Sequence, residues 1–409
     1  MLLFGYVFLT ANTIAAQNLS DSLKPTKVVL NDSLNVSLGK DALDILRKIF
    51  KSKKVATTDS LNRKSKKIYS SIFPVAGYTL QTGFAVLMSG SFAFYTDTAQ
   101  KKLSNILTSI TYTQFNQILF PLAATIWSKN NKYLYGIDYR YLKYPSTTYG
   151  IGARTTDNDA YTLNFTCIKF HQSVLRKVSD NLYAGLGFFY DHFWNIKEID
   201  PPVGVHTSYE RYGNQKSATA AAIVLKVLYD NRQNPINATN GYYASVVYRP
   251  NYTFFGSDNN SKSLQIDIRK YFKINGNPRH VIALWSFDWL TLGKGKQPYF
   301  LLPSTGWDDQ YNTGRGYVQS RFRARNLIYA EAEYRFGITD NGLLGAVVFV
   351  NSQSYSKSLG SQQLNLIAPG FGGGIRIKLN KHSNTNLAID YGFGLNGAKG
   401  LFLNLGEVF

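Results

Sequence analysis

Tyr329-Ala-Glu-Ala-Glu-Tyr-Arg-Phe336 is the stretch whose reading decides the fold. Side chains of an extended strand point alternately to opposite faces. Glu331, Glu333 and Arg335 therefore share one face, and Ala332, Tyr334 and Phe336 share the other. Residues 374–379 repeat the arrangement, with Arg376 and Lys378 opposite Ile375, Ile377 and Leu379. Residues 387–391 do so again, with Ala388 and Asp390 opposite Leu387, Ile389 and Tyr391. A soluble β-sandwich explains alternation, but not ionised groups at inward positions of successive strands. A wall between lipid and water explains both, because an Arg or Lys facing hydrocarbon costs roughly 2–4 kcal/mol near the midplane. The charged faces are read as lining the wet lumen of a transmembrane β-barrel.

The pattern extends in both directions from this stretch. Segments of about ten residues separated by turn residues, the usual length of a membrane strand, are read at 75–81, 85–96, 103–113, 117–127, 132–142, 160–174, 181–193, 217–230, 241–252, 262–274, 279–291, 326–337, 342–352, 368–380, 385–394 and 400–409. The expectation is an all-β chain folded as a sixteen-stranded antiparallel transmembrane β-barrel over residues 71–409. Short, turn-rich connections at 129–132, 179–181, 275–278, 339–342 and 380–384 suit the periplasmic side. Longer ones at 143–159, 194–216, 253–261, 292–325 and 353–367 suit the outside. The connection 230–241 is longer than a periplasmic turn needs.

Composition agrees with a barrel. The chain of 409 residues is 44% hydrophobic and 15% aromatic, yet its mean hydropathy is slightly negative. No run of 18 or more apolar residues occurs, which excludes transmembrane helices beyond an N-terminal signal. A single cysteine, Cys167, excludes a disulfide framework and a cysteine-rich metal site. The formal charge is +20, but no nucleic-acid motif accompanies it. Anionic lipid or lipopolysaccharide headgroups are the expected neighbours, and nucleic acid is not expected. The five histidines are scattered without metal spacing, and no Gly-x-Ser-x-Gly elbow occurs. Neither an enzyme nor a cofactor is expected.

The N-terminus is of a different character. Residues 1–16 resemble a signal peptide ending Ala15-Ala16, although the usual basic start is missing and Ile14 is not small. Residues 17–70 are polar and basic, with Ala42, Leu43, Ile45, Leu46, Ile49 and Phe50 at helical spacing. Two readings stand for this helix: one that lies on the inner leaflet or enters the barrel, and a solvated leader.

Two further features complete the reading. Asn312-Thr-Gly-Arg-Gly-Tyr317 lies in a connection too long for a simple turn, and an arginine between glycines there suggests a loop folded back with a fixed destination. At the end of the chain Leu401, Leu403, Leu405 and Phe409 fall on one face, resembling the C-terminal strand signal of outer-membrane proteins. Phe73-Pro-Val-Ala-Gly-Tyr78 with Gln81-Thr-Gly-Phe84, Asp230-Asn-Arg232 with Asn240-Gly-Tyr242, Gly314-Arg-Gly-Tyr317 with Gln319-Ser-Arg-Phe-Arg323, and the tail 372–409 together resemble the BamA/TamA (bacterial surface antigen) family of outer-membrane barrels. The resemblance implies a seam between the first and last strands and a sixth extracellular loop folded inward. It implies a latch motif Gly314, Arg315, Gly316 and Tyr317, with Glu331, Glu333, Arg376 and Asp390 as candidate partners of Arg315. It implies assistance to protein or lipid insertion or translocation at the bacterial outer membrane. The alternative is a passive channel or structural barrel whose lumen the loop plugs. Residues 17–70 are too short and polar for the POTRA modules of that family. Unfolded outer-membrane proteins, or a separately encoded periplasmic or lipoprotein partner, are then the implied company.

Overall fold

The computed structural model describes residues 39–42, 68–79, 83–96, 102–152, 154–202, 204, 206–213, 215–306, 312–356, 367–381 and 383–409. The signal peptide read at 1–16 lies outside them. So does nearly all of the 17–70 segment, including its helix beyond Ala42 and the reading that it holds no POTRA module.

Seventeen strands are described. The first nine are β1 (Tyr69–Thr79), β2 (Gly83–Phe94), β3 (Ser104–Thr113), β4 (Ile118–Trp127), β5 (Tyr133–Lys143), β6 (Ser146–Thr148), β7 (Tyr161–Ser179), β8 (Leu182–Ile199) and β9 (Ala218–Asp230). The others are β10 (Gly241–Asn251), β11 (Ser261–Ile274), β12 (Asn277–Leu292), β13 (Asn326–Gly337), β14 (Leu344–Ser356), β15 (Ile367–Asn380), β16 (Thr385–Gly394) and β17 (Lys399–Leu405). Against the sixteen segments read from sequence, the extra element is β6, three residues that pair only with the start of β7. The first strand begins six residues earlier than the reading had it, and the last ends at Leu405 rather than Phe409.

Each long strand pairs antiparallel with the next, so the wall is one continuous meander from β1 to β17. β17 also approaches β1, but among the described residues no ladder joins those two edges. Turn chemistry sets the register of the hairpins. Asn275 and Gly276 both take positive φ (49° and 72°), which suits the two-residue link between β11 and β12. Asn181 does the same (φ 63°) between β7 and β8.

Alternation sorts the two faces of the wall. Ile223, Leu225 and Val227 of β9, Val348 and Val350 of β14, and Phe371 and Ile375 of β15 are exposed on the outer face. So extended an apolar surface fits lipid. No helix among the described residues is long and apolar enough to cross a membrane.

On one side the inner face is filled by packed side chains. Tyr271, Trp285, Phe287, Tyr329 and Tyr355 form a buried aromatic cluster together with Phe409. Another, nearer the loop end, gathers Phe165, Phe193 and Tyr209 around Tyr299 and Phe300 of the long β12–β13 connection. One side of the barrel interior is thus packed like a protein core. A cavity of about 730 Å³ remains, reaching from the inner faces of β2–β5 to those of β9–β12. The long 231–240 connection also has a reason. It reaches across the turn end of the barrel, where Asn234 Nδ2 donates to the Ser383 carbonyl (3.0 Å). At the same end the Glu407 N–H donates to the Ile236 carbonyl (3.4 Å).

Candidate functional site

The 293–325 connection leaves β12, runs against the inner faces of β13–β17 and returns to β13. Thr305 Oγ1 donates to Gln353 Oε1 of β14 (3.2 Å), and Asn312 Nδ2 donates to Asn404 Oδ1 of β17 (3.1 Å). Gly314 (φ 79°) and Gly316 (φ 113°) hold the backbone where L side chains rarely go. Both also stand against neighbours: a Cβ at Gly314 would meet Thr305 and Gln353, and one at Gly316 would lie 2.4 Å from the Phe393 carbonyl oxygen. The wall reciprocates. Gly370, Gly392 and Gly394 of β15 and β16 face the Arg315 carbonyl, the Gly316 backbone and the Tyr317 ring, where a Cβ would collide with them. A strip of strand without side chains gives the loop its seat.

Arg315 is 0% exposed and sits among three carboxylates. Its Nη1 donates to Asp390 Oδ2 at 2.7 Å, and its Nη2 reaches both Glu331 Oε1 and Glu333 Oε1. The guanidinium carbon lies 3.7 Å from the centroid of the Phe349 ring, and Asn351 Nδ2 donates to the Arg315 carbonyl (2.8 Å). Tyr317 fixes the next residue but one. Its hydroxyl donates to the Pro369 carbonyl (2.6 Å) and accepts from the Leu395 N–H (2.9 Å).

The acids around Arg315 are themselves paired. Glu333 Oε2 accepts from Arg335 Nε (2.6 Å), and Asp390 Oδ1 from Arg376 Nη1 (2.5 Å). Arg376 Nε donates to Glu407 Oε2 (2.6 Å), which lies 3.9 Å from Arg335 Nε. Arg315, Glu333, Arg335, Glu407, Arg376 and Asp390 thus close a ring of alternating charge. Glu331 hangs on it and takes the Tyr329 hydroxyl hydrogen bond. The ring links the loop, β13, β15, β16 and the residues after β17. Burying so many charges is offset only because each has a partner.

The residues read as a latch are therefore brought together, with three differences. Arg376 does not bond Arg315; like charges have no direct attraction, and it serves Asp390 and Glu407 instead. The charged groups of the ring are buried and paired with one another rather than open to the cavity. Phe409 does not share a face with Leu401, Leu403 and Leu405. Those leucines pair with Tyr391, Ile389 and Leu387 on the outer face of β16, whereas the chain turns in after Leu405. Phe409 is buried against Trp285 (centroids 5.1 Å apart). Arg335 Nη2 donates to its carbonyl oxygen at 2.9 Å. Glu407, Tyr329 and Phe349 were missed from sequence. Tyr329 follows from alternation, since it shares the inner face of β13 with Glu331, Glu333 and Arg335; Phe349 stands on β14, which carries no residue of the ring.

An Omp85 superfamily domain model matches residues 72–400. No curated protein sequence matches the chain. Among solved structures, BamA from Haemophilus ducreyi lacking POTRA domains 1–3 is similar at 14% identity and TM-score 0.50, over 83% of this chain and 70% of that one. CdiB from Escherichia coli is similar at 10% identity and TM-score 0.54, over 84% of this chain and 63% of that one. At these identities the structural likeness speaks for the fold alone.

Proposed function

The chain belongs to the Omp85 superfamily as a bacterial outer-membrane β-barrel, and we propose that it assists insertion or translocation of protein or lipid through a weak seam between β1 and β17. One observation carries the reading: antiparallel ladders connect every neighbouring pair of long strands from β1 to β17, and among the described residues none connects β17 to β1. An edge with free N–H and C=O groups templates an incoming strand. A seam of low pairing is also where a barrel opens sideways at least expense. The buried ring around Arg315 acts as a latch in this reading, since it holds β13, β15 and β16 beside the last strand while the seam opens. Unfolded outer-membrane proteins are the proposed clients, met with a separately encoded periplasmic or lipoprotein partner.

Disulfide pairs engineered between the 69–79 and 399–405 segments test this. Locking the seam is expected to impair growth and lower outer-membrane protein levels, with reversal by reductant. Normal growth with a fully oxidised seam overturns the proposal. A second reading, a passive or structural barrel, is favoured by the loop that fills one side of the interior. Unchanged outer-membrane protein levels together with steady ionic conductance would favour it.

A further inference from the structure

We propose that the turn end of the barrel, beneath β13–β15, is a binding site for an extended acidic peptide. A second cavity of about 320 Å³ lies there, sharing only Glu407 with the lining of the interior cavity. Its lining is rich in cations: Lys40, Arg279, Arg335, Arg376, Lys378 and Lys381 line it with one acid, Glu407, while Asp340 pairs with Arg279 (3.1 Å) and Asp41 stands at the rim. Glu407 is already committed to Arg376 and to Asn386 Nδ2 (2.6 Å).

Two of these cations have capacity to spare. Arg335 is 7% exposed and uses Nε and Nη2, while its Nη1 is buried without a hydrogen-bond partner among the described residues. A buried donor left unpaired is unfavourable, and an incoming carboxylate would satisfy it. Lys378 projects from the inner face of β15 and has an amide oxygen, that of Asn384, as its hydrogen-bond acceptor rather than a carboxylate.

The chain itself indicates a peptide as occupant. Residues 39–41 already lie against this rim: the Lys40 N–H donates to the Asn341 carbonyl (2.9 Å), and Asp41, 4% exposed, accepts the Lys381 N–H on Oδ2 (3.1 Å). The rim thus holds a stretch of backbone by a main-chain hydrogen bond and a carboxylate by a main-chain donor. Further acids of such a segment would meet Lys378 and the spare Arg335 nitrogen. A lipid phosphate is less suited, because Arg335, Arg376 and Lys378 face the interior and not the lipid. The site stands whether or not the seam opens.

The test uses the full chain in neutral detergent micelles and a fluorescein-labelled peptide of alternating Asp and Ser, with an Asn–Ser peptide as its uncharged counterpart. The acidic peptide is expected to raise anisotropy on binding and the Asn–Ser peptide not to. The Lys378→Gln/Lys381→Gln double variant is expected to weaken binding about tenfold or more, the scale of a lost charge-assisted hydrogen bond. Carbodiimide coupling should join the peptide to Lys378 or Lys381, as read by mass spectrometry. If the double variant fails to fold, Lys40→Gln/Arg279→Gln at the rim carries the same expectation. Equal binding of both peptides, unchanged affinity in the folded variant, or coupling confined to other lysines overturns the proposal. So does displacement by phosphatidylglycerol with no coupling of peptide at this site, which would assign it to a lipid headgroup.

Discussion

Arg315 and Arg323 are both buried in the same loop, and what surrounds them differs. Arg315 meets three carboxylates, whereas Arg323 Nη1 donates to the carbonyls of Tyr299 (3.0 Å) and Leu302 (3.3 Å). Removing Arg315 leaves Glu331, Glu333 and Asp390 buried around an empty place, and breaking a buried ionic arrangement from one side costs about 3–5 kcal/mol. Arg315→Ala is therefore expected to lower the urea midpoint of the folded barrel by an amount of that order, and Arg315→Glu to lower it further. Arg315→Lys recovers only part, because a single ammonium does not reproduce the two-nitrogen fork. Arg323 is not an inert comparison, since it ties the loop to itself; Arg323→Ala is expected to destabilise as well. The exposed Lys294 is the proper control, and Lys294→Glu should stay within about 0.5 kcal/mol of the parent. Wild-type stability in Arg315→Ala would remove the ring from its structural role. Gly316→Ala tests the seat independently of charge. A methyl group 2.4 Å from the Phe393 carbonyl forces the loop or β16 to move, at an expected cost of about 1–3 kcal/mol in the same measurement.

At the scale of the element, the last strand and the residues after it separate two roles that the sequence runs together. Leu401, Leu403 and Leu405 look outward from β17, while Phe409 packs inside on Trp285 and under the Arg335 guanidinium (5.2 Å to the ring centroid). Truncating a buried Phe to Ala typically costs about 3–5 kcal/mol. Phe409→Ala is thus expected to lower the stability of the folded barrel strongly, and Leu403→Ala to lower it little while slowing assembly into the membrane. Urea titration of purified barrel, set beside the amount reaching the outer membrane, distinguishes the two; equal stability losses would return Phe409 to the outer face. This also marks what the sequence made legible. Period-two alternation put Glu331, Glu333, Arg376 and Asp390 on one face, because the pleat leaves no other choice within a strand. It gave no hold on Glu407 or Phe409, because they follow the end of the ladder, where backbone direction depends on what the interior offers. Nor could it foresee that one side of the interior is filled. That depends on the 293–325 connection filling the space, and alternation distinguishes the two faces without saying what covers them.

For the whole molecule, the interior is divided: one side is filled by the 293–325 connection and the aromatic clusters, and the other holds a cavity of about 730 Å³. Tyr299 and Phe300 close its loop end against Phe193 and Tyr209, and the 231–240 connection crosses the turn end, where Asn234 bonds Ser383. A barrel stopped in this way at both ends should pass little current across a planar bilayer, although its wall is wide enough for a pore. Replacing 293–325 by a short Gly/Ser link removes the upper closure and the Arg315 anchor together, and is expected to give large, steady openings. Arg315→Glu alone should give brief openings, because the loop keeps Tyr299 and Phe300 packed after its anchor is lost. Closing the seam by disulfide should leave all of these currents unchanged, since the pore axis and the seam are different exits. If the parent protein already conducts steadily, the loop does not seal the axis. If a locked seam abolishes current in the loop-deleted barrel, the openings run through the wall, and the interior is a vestibule to the seam rather than a pore.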